Sequence, residues 1–231
     1  MSVTPSAAVG AVTTWLLMAL VASPASAQVS SAAPSGPVSA PVGQTRLFLG
    51  PTARPLPQGD GYFVLHGIVP AFQVGITDRV SIGAGSFFGV GGNFWVTPKV
   101  QLVRRDAISV SATLVHFVAP GEGNLGFAFA SATHGGAAGG ITFGVGAAYA
   151  GGWDEDDDWA AGGPFFMVGA DRQLSPRVVF LSENYIVAGS GAMLINGIRA
   201  SWTRFMLDAG AMILVGGGVA GGPIVNFAWR F

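Results

Sequence analysis

From residue 45 onward the chain alternates large apolar residues with small or polar ones, in segments of roughly ten residues. In "FWVTPKVQL" (94–102), Phe94, Val96, Pro98, Val100 and Leu102 oppose Thr97, Lys99 and Gln101. "AISVSATLV" (107–115) sets Ile108, Val110, Ala112 and Leu114 against Ser109, Ser111 and Thr113. "ITFGVGAAY" (141–149) and "RFMLDAGAMILV" (204–215) repeat the pattern, the latter with Phe205, Leu207, Ala209, Ala211 and Ile213 opposite Asp208, Gly210 and Met212. Successive side chains leave a strand on opposite faces, so a period of two predicts strands.

The second face decides which kind of sheet. A soluble sandwich packs its large residues inward and charges its exterior. Here the face opposite the large residues carries Gly, Ala, Ser and Thr, and only 10% of the chain is charged while 50% is apolar. An average soluble domain is about a quarter charged. The 36 glycines suit a crowded interior. The pattern therefore predicts a closed antiparallel transmembrane β-barrel, all-β, with its large residues on lipid and its small residues in the lumen. Closure satisfies every backbone group inside hydrocarbon, which an open sheet does not.

The connections follow the same scheme. Short ones at 77–79, 104–106, 174–177 and 202–204, with "SATHGG" (131–136) in a further short slot, alternate with longer ones at 89–93, 120–124, 151–163 and 216–222, with "GSG" (189–191) in a loop slot. Short turns inside and long loops outside are the outer-membrane arrangement. Strands are predicted at 80–88, 94–104, 107–118, 124–133, 138–150, 163–174, 177–187, 192–202, 204–215 and 223–231. Before them, either residues 45–50 form a strand followed by one long strand at 62–76, or 62–76 splits near Pro70. Both versions give about twelve strands, with ten as the fallback.

Two segments precede the barrel. "TTWLLMALVA" (13–22) followed by "SPASAQ" predicts a signal peptide over 1–27, cut before Gln28. The run is short for a spanning helix, which needs about 20 residues. The usual basic start is missing, because the first charged residue is Arg46. "QVSSAAPSGPVSAPVGQ" (28–44) is uncharged and rich in Ser, Ala and Pro, and predicts a disordered leader on the periplasmic side. The barrel is expected over 45–231.

The chain ends "PIVNFAWRF". Val225, Phe227, Trp229 and Phe231 share one face, and Asn226 and Arg230 share the other. This ending resembles the C-terminal signal of the bacterial outer-membrane β-barrel superfamily. The resemblance implies recognition of Phe227, Trp229 and Phe231 by the barrel-assembly machinery, and outer-membrane lipid as the other partner. "LFLGPTARPLPQGDGYF" (47–63), "GITDRVSIGAG" and "TPKV" look like a family of uncharacterised outer-membrane barrels, which implies a fold and a location but no activity.

Chemistry is sparse. Net charge is −1, so bulk electrostatics suggest no nucleic-acid partner. Without cysteine there are no disulfides or thiolate sites. Asp154, Glu155, Asp156, Asp157 and Asp158 hold five of the 12 acidic residues and are candidate ligands for divalent cations at an outer loop, though they lack the calcium-hand spacing. A solvated loop is the plainer account.

His66, His116 and His134 show no metal spacing and have no adjacent serine, and no GxSxG elbow or phosphate loop is present. No cofactor is implied. Seven charges fall within predicted strands: Lys99, Asp171, Arg172, Glu183, Arg199, Asp208 and Arg230. A charge facing lipid costs about 2–4 kcal/mol at mid-depth, so most should point inward. Lys99, Asp171, Glu183, Arg199, Asp208 and Arg230 are therefore the candidate lumen-lining set, either a selective constriction or ion pairs filling the barrel. The alternation leaves the face of Glu183 open. Arg79, Arg104, Arg105, Arg177 and Arg204 gather at the short turns. The expectation is a passive narrow pore or structural barrel. The alternatives are an outer-membrane lipid-modifying enzyme and a barrel that binds through its loops.

Overall fold

A computed structural model describes residues 44–87, 92–120, 123–151 and 160–231. The predicted signal peptide, the leader up to residue 43 and the acidic run 154–158 lie outside the described residues.

Twelve antiparallel strands close on themselves, each paired with its neighbours in chain order and the first with the last. They are β1 (Gly61–His66), β2 (Val69–Gly75), β3 (Val80–Ser86), β4 (Phe94–Arg105), β5 (Ile108–Ala119), β6 (Gly123–Gly136), β7 (Gly139–Gly151), β8 (Ala160–Ser175), β9 (Val178–Val187), β10 (Gly191–Ser201), β11 (Phe205–Val215) and β12 (Val219–Arg230). The seam pairs Tyr62 with Arg230 and His66 with Asn226. No helix of the described residues is long and apolar enough to cross a membrane.

The strand count matches the expectation, and the split at the start is the second version. It falls at Gly67 and Ile68 rather than at Pro70, which lies inside β2 opposite Leu65. Gly67 has φ 62°, the left-handed conformation that a two-residue hairpin turn reserves for glycine. Three boundaries shift. β6 runs through "SATHGG" and turns only at Ala137 and Ala138, and β12 starts at Val219, leaving 216–218 as its loop. β8 begins at Ala160. In each case small residues that read as a turn keep pairing, because the neighbouring strand supplies backbone partners wherever it extends.

Both chain ends of the barrel and most of the short connections share one end, here the turn end. The longer connections share the other, the loop end, with the two-residue turn at Gly67 and Ile68. The alternation resolves as predicted: Leu102 and Phe143 are each 57% exposed on the outside, and Val225 is 50% exposed, while Lys99 and Asp208 on the opposite parity are fully buried.

Residues 45–50 are not a strand of the wall. They are the rising arm and tip of a hairpin that lies inside the barrel. Gln44 Nε2 donates to Ala137 O at the turn end (2.7 Å), which fixes the point of entry. Arg46 pairs with Pro51 as an isolated bridge, Leu47 N donates to Gly50 O (2.8 Å), and Thr52 N donates to Thr45 O (3.0 Å). The descending arm returns along β2 and joins β1 at Gly61.

The hairpin carries the hydrophobic centre of the molecule. Leu47 and Phe48 pack with Leu181 and Ile195, and Leu56 packs with Tyr62, Val64, Ala71, Met206 and Ala228. Glycines in the wall make room for it: a Cβ on Gly169 would overlap Leu47 Cδ1, and one on Gly210 would lie 3.0 Å from Phe48 Cζ.

Candidate functional site

The lumen charges meet at this hairpin. Glu183, whose face the sequence left open, points inward and is fully buried. Its carboxylate accepts from three backbone N–H groups at the hairpin tip: Phe48 (2.6 Å), Leu49 (2.9 Å) and Gly50 (2.7 Å). Tyr185 OH donates a fourth hydrogen bond at 2.5 Å. Lys99, on β4, donates to carbonyl oxygens of both arms: Thr45 (3.5 Å), Thr52 (3.2 Å) and Arg54 (2.6 Å). A buried charge is costly unless hydrogen-bonded. Here the backbone of the hairpin supplies the partners, donors to the acid and acceptors to the base.

Asp208 is the hub between them. Arg199, opposite it in register on β10, binds it through Nε (2.6 Å) and Nη2 (3.0 Å). Arg46 of the hairpin binds it through Nη1 (2.8 Å). Two parallel N–H···O bonds make the Arg199 contact strong and directional. Arg199 also donates to Arg46 O (3.1 Å) and Leu47 O (2.7 Å), and Asn226 Nδ2 donates to Phe48 O (2.9 Å). The Arg46 guanidinium lies 5.6 Å from the Tyr62 ring centroid, within cation–π range. Nearer the turn end, Arg54 faces Asp171 at 3.8 Å, and Ala53 N donates to Thr133 Oγ1 (2.9 Å).

Five of the six candidate lumen residues thus come together around residues 44–56. Arg230 does not join them; it pairs with Asp60 at the rim (3.0 Å). Arg172 is exposed near the turn end. The sequence reading missed Arg46, Arg54 and Asn226 as members of the cluster. One signal was present: Lys99 and Glu183 have no opposite charge beside them in register, facing Thr113 and Ser81, and Gly169 and Ile195, respectively.

At this level the wall is buried all the way round. Every strand contributes a buried inward residue, among them Tyr62, Gln73, Ser81, Lys99, Ser111, Thr133, Thr142, Asp171, Glu183, Arg199, Asp208 and Asn226. Toward the loop end the lumen changes character. No Asp, Glu, Lys or Arg of the described strands faces it there. A ladder of rings follows the inner wall instead: Phe87–Trp95 (5.0 Å between centroids), Trp95–Phe117 (5.9 Å), Phe117–Phe127 (6.2 Å), Phe127–Phe165 (5.8 Å) and Phe165–Tyr185 (6.3 Å).

The histidines are apart. His66 Nδ1 faces Asn226 Oδ1 (3.3 Å) at the seam. His116 sits on the outer wall, with Nδ1 2.8 Å from Tyr149 OH. His134 is exposed. Among the described residues none is hydrogen-bonded to a serine, so no nucleophile pair is assembled, and no group of three or more potential ligands could hold a metal.

The C-terminal strand has the predicted faces. Phe227, Trp229 and Phe231 are exposed outside, and Phe205 stacks on Phe227 and Trp229 (6.2 and 6.5 Å). Phe231 closes the seam through Gly61, donating to Gly61 O (3.1 Å) and accepting from Gly61 N (3.3 Å).

No protein-family profile and no curated protein matches this sequence. Among solved structures the NanC porin is similar, with a TM-score of 0.49 at 9% identity over 74% of this chain and 97% of the porin.

Proposed function

We propose that the protein is a bacterial outer-membrane barrel closed by its own N-terminal hairpin, a structural barrel rather than an open pore. The observation that carries this is the ring of buried inward residues, one or more from each strand, packed around residues 44–56. Leu47 and Phe48 of the hairpin are fully buried, which supports an occluded lumen at this level. The exterior supports the location, because its exposed Leu, Ile, Val and Phe side chains belong in hydrocarbon and its short turns mark the periplasmic end. The test is single-channel recording of the refolded protein in a planar bilayer, after a heat-dependent gel shift confirms folding. Silence is expected. Stable current steps from the unaltered barrel overturn the reading.

The ring ladder favours a second reading over the enzyme: a barrel that captures an apolar ligand from the loop side. Phe117 and Phe127 are half-buried there and offer dispersion contact without a charged partner. Titration with a fluorescent apolar probe such as N-phenylnaphthylamine distinguishes it. Saturable binding lost in Phe117→Ala supports capture, and partitioning unchanged by that substitution rejects it.

A further inference from the structure

A second feature lies at the other end of the lumen. Beneath the hairpin, at the turn end, is a cavity of about 270 Å³ lined by Arg177, Arg199, Arg204, Arg230, Asp171 and Gln173, among others. We infer that this cavity is a binding site for a small organic polyanion carrying two or more carboxylate or phosphate groups. The inference stands whether or not the barrel conducts.

The charge inventory points to it. Asp208 is shared by two guanidiniums, those of Arg46 and Arg199. Asp171 faces Arg54, and Asp60 faces Arg230. Arg177 and Arg204 form no ion pair among the described residues. Four guanidiniums, those of Arg177, Arg199, Arg204 and Arg230, therefore line the cavity against the single carboxylate of Asp171. A concave site with a low-dielectric wall and one sign of charge concentrates the opposite ion.

Guanidinium groups match carboxylate and phosphate geometrically, through two parallel N–H···O bonds. The volume sets the size. It falls just below the roughly 300–1,000 Å³ of pockets that hold drug-sized ligands. Asp171 disfavours a ligand that is anionic throughout: it lines the cavity, and its Oδ1, 3.8 Å from Arg54 Nη1, has no hydrogen-bond partner. The anionic groups of the ligand belong at the mouth, beside Arg177 and Arg204, with a hydroxyl or other donor directed inward.

Isothermal titration of the refolded full-length barrel in a non-ionic detergent tests this, with citrate and pyrophosphate as the probes. The carboxylate and phosphate arms show which anion the site prefers. Binding of at least one tighter than about 1 mM is expected. Arg177→Gln combined with Arg204→Gln should weaken it at least tenfold. Both residues are exposed at turns, so folding is not at risk, and Arg204→Glu alone should weaken binding by at least as much. Arg79→Gln combined with Arg105→Gln removes the same charge from the rim outside the cavity and should leave binding within twofold. No heat from either probe at about 10 mM overturns the site. So does equal weakening by the Arg79 and Arg105 pair, which would reduce the effect to diffuse attraction by a basic rim.

Discussion

Lys99 Nζ lies 2.6 Å from the carbonyl oxygen of Arg54, so a fully buried wall charge is answered by the backbone of the hairpin rather than by a carboxylate. Glu183 is its counterpart across the lumen, answered by three N–H groups of the hairpin tip. The two charges hold the hairpin by opposite ends of its peptide dipoles, whatever side chains it carries. Glu183→Ala should therefore cost about 3 kcal/mol, since it strands three backbone donors at once, two of them buried. Glu183→Gln keeps one acceptor oxygen and should cost less. Urea titration of the refolded variants, read by tryptophan fluorescence, checks the order.

The triad around Asp208 makes a sharper case. Asp208→Asn leaves Arg46 and Arg199 buried side by side without a carboxylate. Breaking a buried ion pair on one side costs about 3–5 kcal/mol, because the surviving charge has no compensation. Arg46→Met in that background removes one of the two stranded charges and should restore part of the loss. A double-mutant cycle on the same urea titrations measures the coupling. Additive losses would mean that Arg46 and Asp208 do not interact.

Much of the wall was legible because closing a sheet around a crowded lumen imposes a strict rule on it. A strand with an apolar exterior on one side and a crowded lumen on the other must alternate, and Val225, Phe227 and Trp229 against Asn226 and Ala228 display this directly. The inward direction of Lys99, Arg199 and Asp208 followed from the same rule. What those charges bind was not legible. The partners of Glu183 are N–H groups, which every residue but proline possesses, and "RLFLG" reads as well for a strand as for a hairpin arm. The sequence reading paired charges across the lumen with one another. It had no reason to place the residues before the first strand inside the barrel.

The exterior rule gives a prediction that depends on depth. Val225 lies near the middle of β12 and Val219 at its loop end, both exposed on the outward face. Arginine on the lipid side costs about 2–4 kcal/mol at the bilayer midplane and about 0–1 near the interface. Val225→Arg should therefore destabilise the barrel folded in lipid vesicles far more than Val219→Arg. Equal costs would mean that the exterior band is not centred on β12 as the strand lengths imply.

The hairpin can also be displaced without touching a charge. Gly169 on β8 has no side chain, and the space a Cβ would occupy is filled by Leu47 Cδ1. Wall and hairpin are both backbone-constrained here, so a leucine at position 169 cannot be absorbed by a rotamer change alone. Gly169→Leu should push the rising arm out of register while leaving the strand pairing of β8 with β7 and β9 intact, since that pairing is made by backbone groups. Trypsin reports the difference. Arg46 is buried in the native barrel and its peptide bond to Leu47 is protected. Arg54 is followed by Pro55 and is a poor site in any state. Cleavage after Arg46 should therefore be absent from the refolded parent and rapid in Gly169→Leu, with the heat-dependent gel shift unchanged. Protection in both would show that the hairpin accommodates the added side chain, and that the close fit between Leu47 and Gly169 does not hold it in place.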